Sequence, residues 1–206
     1  MHHLLEPLDT LIAALCENST CRICIQDVTG EFGGIIDRLP YELKFHLGSV
    51  CVLSKNTRRG MGYCAACKFR SIDRARLADR TYVGCCTFGV YEAVRPVYIN
   101  GRVSCMIFVG NLLHDRALFR ERVNRMAPEI GLEPAILLEK EAELCPVKDG
   151  DFSPYIRRAE LLRSYLLLLA EHSPGLLSRP AMDTQHITNP ILRNVLHIRS
   201  FITWSR

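Results

Sequence analysis

The chain reads as an α+β protein, an antiparallel sheet flanked by helices with a helical extension at the C-terminal end. Three observations predict this. Residues 93–99 (A-V-R-P-V-Y-I) and 102–109 (R-V-S-C-M-I-F-V) are rich in β-branched and aromatic side chains and are separated only by Asn100-Gly101. A type I′ turn needs positive φ at both central residues, so Asn-Gly between two such runs signals a tight hairpin. Residues 21–28 alternate, with Cys21, Ile23 and Ile25 set against Arg22, Cys24 and Gln26, which is the pattern of a strand with one buried face. After Gly110 the apolar spacing becomes helical.

Taken in order, residues 4–17 place Leu4, Leu5, Leu8, Leu11, Ile12 and Leu15 close to helical spacing, with Pro7 tolerable only near a first turn. The strand at 21–28 is followed by turn residues at 27–30, and residues 31–37 can return as a second strand. Residues 39–53 are ambiguous: Pro40 can open a helix carrying Leu43, Leu47 and Val50, while Gly48 weakens it. Composition makes 56–62 a loop. A helix opened by Cys64-x-x-Cys67 is expected over 64–78, then a strand over 82–90, then the hairpin. Pro96 cannot donate to a ladder and requires an edge or a bulge.

Asp115 can cap a helix carrying Leu118, Phe119, Val123 and Met126 that ends before Pro128. Glu133-Pro134 begins another, and Ser153-Pro154 begins the longest. In that helix Ile156, Leu161, Leu162, Tyr165, Leu166, Leu168 and Leu169 cover more than one face, so it needs more than one neighbour, inside the domain or from a second subunit. Residues 173–188 read as a linker rich in turn formers. A further helix starts at Asn189-Pro190, with Ile191, Val195, Ile198 and Ile202 at recurring helical intervals.

Composition bounds the function. Charged residues are 23% and hydrophobic residues 48%, a globular balance, and the net charge of +4 is too slight to argue for nucleic acid by itself. Most clustered arginines fall on amphipathic stretches and read as solvated helix faces. No apolar run approaches the roughly 20 residues of a membrane span, and the start lacks the pattern of a signal peptide, so a cytoplasmic protein is expected. Ten cysteines in a reducing compartment point to core packing, metal ligation or redox chemistry before a disulfide framework. There is no P-loop, G-x-G-x-x-G, H-E-x-x-H or G-x-S-x-G, and the seven histidines are scattered, so no enzyme is expected.

Three sets of residues could carry chemistry. Cys64 and Cys67 can offer two thiolates to one metal ion. With Cys51 upstream and Cys85-Cys86 downstream, a four-sulfur structural zinc site is feasible, in which at most one of the vicinal pair takes part. His46, near Cys51 in sequence, is the one histidine worth testing as a ligand. The same C-x-x-C could instead be a redox pair, with Arg58, Arg59 or Lys68 as the cation that lowers a thiol pKa. Tyr82, Phe88, Tyr91, Tyr98 and Phe108 lie on successive strand segments, and those on one face would line any cavity beneath the helices.

The succession Cys51, Gly62-x-Cys64-x-x-Cys67, Tyr82-x-x-x-Cys86-x-x-Gly89-Val90, Ala93-x-x-Pro96-Val97, Asn100-Gly101 and Gly110-Asn111 resembles the PocR-type sensory domain, a PAS-like variant found in bacterial transcription regulators. The resemblance implies a PAS-like sheet and an effector domain over residues 1–172 that binds a small diol or related hydrocarbon derivative. Of the aromatic residues placed by position, Tyr82, Phe88, Tyr91 and Phe108 are the expected ligand contacts, and Cys51, Cys64, Cys67 and Cys86 the expected structural metal knot, the resemblance choosing Cys86 over Cys85. The chain departs from the family pattern at Thr87, where the family tends to have His, and at Asn111, where it tends to have Gln. Residues 189–206 resemble the opening of an AraC-type helix-turn-helix region. Homodimerisation through the later helices, and DNA binding only through a region beyond this chain, are the expectations that follow. The rival expectation is a cysteine-based metal or redox sensor.

Overall fold

The computed structural model describes residues 7–172. The linker at 173–188 and the helix expected from Asn189 lie outside the described residues.

The first helix, α1 (Leu8–Cys16), starts after Pro7 and buries Leu8 and Ile12. Asn18, at φ 57°, turns the chain into β1 (Arg22–Asp27). Cys24 is as buried as Cys21, Ile23 and Ile25, because both faces of this strand are covered. The return strand expected over 31–37 is instead a short helix, α2 (Gly33–Ile36). The Asp27 carboxylate accepts from the amides of Thr29 (3.2 Å) and Gly30 (2.7 Å), closing a tight turn that coils the chain onward and buries Ile35 and Ile36.

The ambiguous stretch resolves into a 3₁₀ turn at Tyr41–Leu43, an irregular passage through 44–48, and α3 (Ser49–Ser54). The loop expected at 56–62 is a correction, because α4 (Arg58–Ala75) begins there. Thr57 caps it, its hydroxyl accepting from the Gly60 amide at 3.1 Å. Cys64 and Cys67 therefore sit inside the helix on one face, not at its opening.

β2 (Tyr82–Cys85) is shorter than the strand expected over 82–90. At Cys86 the chain makes a tight turn, with the Gly89 amide donating to the Cys86 carbonyl (3.0 Å) and the Cys86 amide to Val90 (2.9 Å). β3 (Tyr91–Ile99) and β4 (Arg102–Leu113) form the hairpin, with Asn100 and Gly101 at φ 49° and 75° as the turn requires. β2 pairs with β3 only as far as Val94, which leaves Pro96 on a stretch with an open outer edge. α5 (Arg116–Met126) is capped by Asp115, whose carboxylate accepts from the Leu118 amide at 2.8 Å. Then come α6 (Pro134–Leu138), the two-residue β5 (Cys145–Pro146) and α7 (Ser153–His172).

The sheet order is β1-β4-β3-β2, all antiparallel, and β5 adds in parallel to β4. β1 pairs with β4 from Cys105 to Gly110, and β5 pairs with Leu112 and Leu113. They therefore occupy the same side of β4, with Asn111 at the seam. One face of the sheet carries Ile25, Val97, Ile107 and Val109 against α1, α2 and α7. The other carries Cys24, Val94, Met106 and Phe108 against α4. A third apolar cluster joins Val50 of α3, Phe88 and Val90 to α5 and α6. The whole is the α+β, PAS-like sheet flanked by helices that the sequence predicts.

Candidate functional site

The site grows from an irregularity in the central hairpin. Tyr91 pairs with Leu112 but Ala93 pairs with Val109, so Glu92 alone faces both Gly110 and Asn111. This bulge places Asn111 at φ 64°, a conformation Asn tolerates better than most residues. Its side-chain amide donates to the carbonyls of Thr20 (2.8 Å) and Glu143 (3.0 Å), fastening the start of β1 and the approach to β5 to β4. Gly48 packs directly on this side chain: a Cβ there would stand 2.6 Å from the Asn111 Oδ1. The irregular passage 44–48 is thereby seated over the bulge. Gln26 donates to the Lys44 carbonyl at 3.4 Å, and the Lys55 ammonium donates to the carbonyl of His46.

Beneath that passage lies a cavity of about 40 Å³, lined among others by Cys24, His46, Cys51, Cys86, Val90 and Glu92. It is little larger than the ~30 Å³ share of one water molecule in the liquid. Glu92 and His46 face each other with Oε2 and Nδ1 3.7 Å apart, too far for a direct hydrogen bond, and their side chains are 16% and 17% exposed. Burial pushes the Glu92 carboxyl up to about 7, with Lys68 of α4 partly opposing the shift. Burial, then the charges of Lys68 and Lys55, hold the His46 imidazole well below its ordinary value, so it is neutral. Its Nε2 is buried with no hydrogen-bond partner. The edge of the ring meets Phe108, centroids 4.9 Å apart. A carboxyl poised between protonation states beside an unpartnered imidazole nitrogen can both donate to and accept from a small polar guest, while the thiols and Val90 offer apolar contact.

The thiols nearby are held protonated by burial: Cys51 is pushed up to about 11, Cys24 to about 12, and Cys86 well above its ordinary value. Cys51 is electrostatically coupled to Cys64 and to Cys86. Cys67 turns elsewhere, with its sulfur 3.2 Å from the Thr87 hydroxyl and accepting from Arg70 at 3.2 Å. Cys85 accepts from Arg122 at 3.2 Å. The Cys51 sulfur thus feels the charge of two of the other three sulfurs expected to hold a metal. Among the described residues, however, no three His, Cys, Asp or Glu side chains are gathered as a ligand set.

The aromatic residues expected at the ligand are dispersed. Phe108 lies under His46 beside the cavity. Tyr82 donates to the Ser71 carbonyl at 2.7 Å beneath the guanidinium of Arg74. Phe88 packs in the cluster around α5, and Tyr91 stacks with His114 and Phe152 near α7. Glu92 and Asn111 were not singled out by sequence reasoning as contacts. Their signal was present in Glu92, a carboxylate in the middle of a β-branched run, since a charge at an interior position is rarely there for packing.

No curated protein and no solved structure matches the chain. No helix among the described residues is long and apolar enough to cross a membrane. Residues 36–168, well over half the chain, match the family described as the sensory domain found in PocR, and they contain the bulge, the passage above it and the cavity lining other than Arg22 and Cys24 of β1. The chain belongs to this sensory-domain family.

Proposed function

We propose that the domain senses a small diol or related hydrocarbon derivative in the cavity beneath residues 44–48, as a binding module and not a catalyst. The observation that carries this is the Glu92–His46 pair, a partly protonated carboxyl and an imidazole with a buried nitrogen without a partner, lining a space shared with thiols, apolar side chains, Arg22 and Asn111. A diol supplies one hydroxyl to each and lays its carbons against Val90, Phe45 and Leu47. The closed cavity is too small for such a guest, so binding displaces the passage 44–48, which is held chiefly by Gln26, Lys55 and the Asn111 contact. A ligand shifts an equilibrium only by its unequal affinity for two states, and an open against a closed passage supplies two states.

The response would reach a DNA-binding partner region through α7. Leu161 and Leu168, one heptad apart, are 49% and 42% exposed, which favours a second copy of α7 as their cover in a homodimer. The AraC-type continuation is carried by the resemblance of residues 189–206 alone.

A thermal-shift panel of short diols, aldehydes and acids on the purified chain tests the reading. A guest at about 100 times its Kd stabilises by about 2.7 kcal/mol, a readily measured rise in Tm. The rise is expected for a diol and should be lost in Glu92→Gln and His46→Phe. A panel without any stabilising compound, or one whose effect survives both substitutions, would sink it.

A second reading, a structural zinc on Cys51, Cys64, Cys67 and Cys86, is favoured by the electrostatic coupling of Cys51 to Cys64 and Cys86. It requires Cys67 to turn from Thr87. Metal analysis decides it: one equivalent of zinc, lost in Cys64→Ser, supports the knot, and metal-free folded protein rejects it.

A further inference from the structure

The seam in the sheet holds a second hollow. β1 pairs with β4 as far as Arg22 opposite Gly110, and β5 pairs with β4 from Leu112, so the ladder on this side is interrupted at Asn111. An open polar groove of about 590 Å³ lies there, lined by Ser19, Thr20, Arg22, Ser49, Asn111 and Glu143, among others. Arg22 and Asn111 also line the cavity beneath residues 44–48, so the groove and the cavity share a wall. Gly48 completes that wall, since a Cβ there would stand 2.6 Å from the Asn111 Oδ1 and 3.9 Å from the Arg22 Cδ. Displacing Gly48 joins the two spaces.

The polar groups of the groove are unequally satisfied. The Glu143 carboxylate accepts from the Ser49 hydroxyl and, at 3.0 Å, from the Lys140 ammonium. The Asn111 amide is committed to the carbonyls of Thr20 and Glu143. Arg22, exposed at the start of β1, is different: its guanidinium makes no hydrogen bond or ion pair with any described residue. Glu143 feels its charge without pairing with it. A guanidinium with all its N–H groups free, at the rim of a partly apolar cavity, suits a carboxylate, which accepts two parallel bonds from it. Glu143 on the same groove disfavours a doubly charged guest, so a single carboxylate fits better than a phosphate dianion.

We propose that the groove is the outer part of the effector site, and that the effector is a short hydroxylated carboxylic acid, its carboxylate on Arg22 and its hydroxyl-bearing end in the cavity. The inner half of this assignment rests on the Glu92–His46 reading, and the outer half stands on Arg22 and the groove. Because Gly48 separates the two spaces, one molecule occupies both only when the passage 44–48 is open. Such an acid binds the open state preferentially and shifts the equilibrium toward it.

Two probes with the same four-carbon skeleton isolate the carboxylate: butane-1,2-diol, and 3,4-dihydroxybutanoate, in which a carboxylate replaces the terminal methyl. In calorimetric titrations of the full chain at low salt, the acid is expected to bind about tenfold more tightly than the diol, the effect of one charge-assisted contact. At about 1 M ionic strength, where the Debye length is about 3 Å, that ratio should fall severalfold. In Arg22→Gln the two probes should bind alike. Should the variant fail to fold, the salt dependence of the wild type still decides. A diol that binds while the acid binds no more tightly overturns the groove assignment and leaves the cavity reading standing, as does an advantage that survives high salt or Arg22→Gln. An acid that binds through Arg22 beside a diol that does not bind supports the groove and overturns the cavity reading. Absence of binding by either probe overturns both.

Discussion

Glu92 shows how a single side chain can set the pH behaviour of the site. Its carboxyl is raised from an ordinary 4.5 to about 7 in the folded protein. The folded state therefore holds a proton that the unfolded chain releases, so this contribution to stability is present below pH 4.5 and is lost as pH rises through about 7. The shift corresponds to on the order of 3 kcal/mol at most. His46 works in the opposite direction, because an imidazole held below 6.5 loses stability as pH falls. Comparing variants isolates the carboxyl: Glu92→Gln should match the wild type in Tm near pH 4.5 and exceed it increasingly up to pH 7 and beyond. A gap of opposite sign would mean that Glu92 is ionised and paired.

Asn111 makes a second prediction at this scale. Asn111→Ala loses two hydrogen bonds to carbonyls and strains a positive φ, for about 2 kcal/mol in urea unfolding, while Asn111→Gly relieves the strain and loses less. The sequence named His46 and Phe108 but not the contact between them, since 62 residues of chain separate them. Glu92 and Arg95 were visible as charges within an apolar run. What they faced was not, because a one-residue slip in register exchanges the two faces of a strand.

Elements were legible where a local rule dominates and misread where a tertiary contact overrides it. The hairpin was readable from Asn100-Gly101, and α5 from the Asp115 cap, because both signals act within four residues of chain. The start of α4 was missed because Gly60 and Gly62 look like loop residues. Their reasons differ: a Cβ at Gly60 would stand 1.7 Å from the Ser54 carbonyl oxygen, whereas one at Gly62 would meet nothing within 4 Å. Gly60 is thus required by the close approach of α3, and Gly62 is not. Helix propensity favours Ala over Gly by about 1 kcal/mol at either position. Gly62→Ala should follow that rule and stabilise by about 0.5–1 kcal/mol. Gly60→Ala should reverse it, losing about 3 kcal/mol or more as α3 is forced off α4. Equal effects of the two substitutions on the urea midpoint would remove the explanation. The displaced start also moves Cys64 and Cys67 to mid-helix, away from its N-terminus.

Across the whole molecule, β3 connects the cavity to α7. Glu92 lies on the α4 side, and Arg95, three residues along, lies on the α7 side, 4% exposed. Its guanidinium bonds Glu160 of α7 at 3.0 Å and also Asp79, which Arg163 of α7 approaches at 3.5 Å. Thr81, just before β2, donates to the same Glu160 carboxylate. A shift of β3 at the bulge therefore meets α7 through charged hydrogen bonds whose acceptors are nearly half exposed and whose donor is not. Removing the donor leaves Asp79 and Glu160 able to reach water, so Arg95→Met should cost about 1–3 kcal/mol, less than stranding a buried charge would. The coupling is more diagnostic than the stability. Combined with Glu160→Gln, the pair should deviate from additivity by about 1 kcal/mol, and amide exchange along α7 should quicken in Arg95→Met while that of α5 stays unchanged. Additive losses with unaltered exchange in α7 would show that the helix is held by its apolar face of Leu162 and Leu166 alone, and that β3 carries no signal to it.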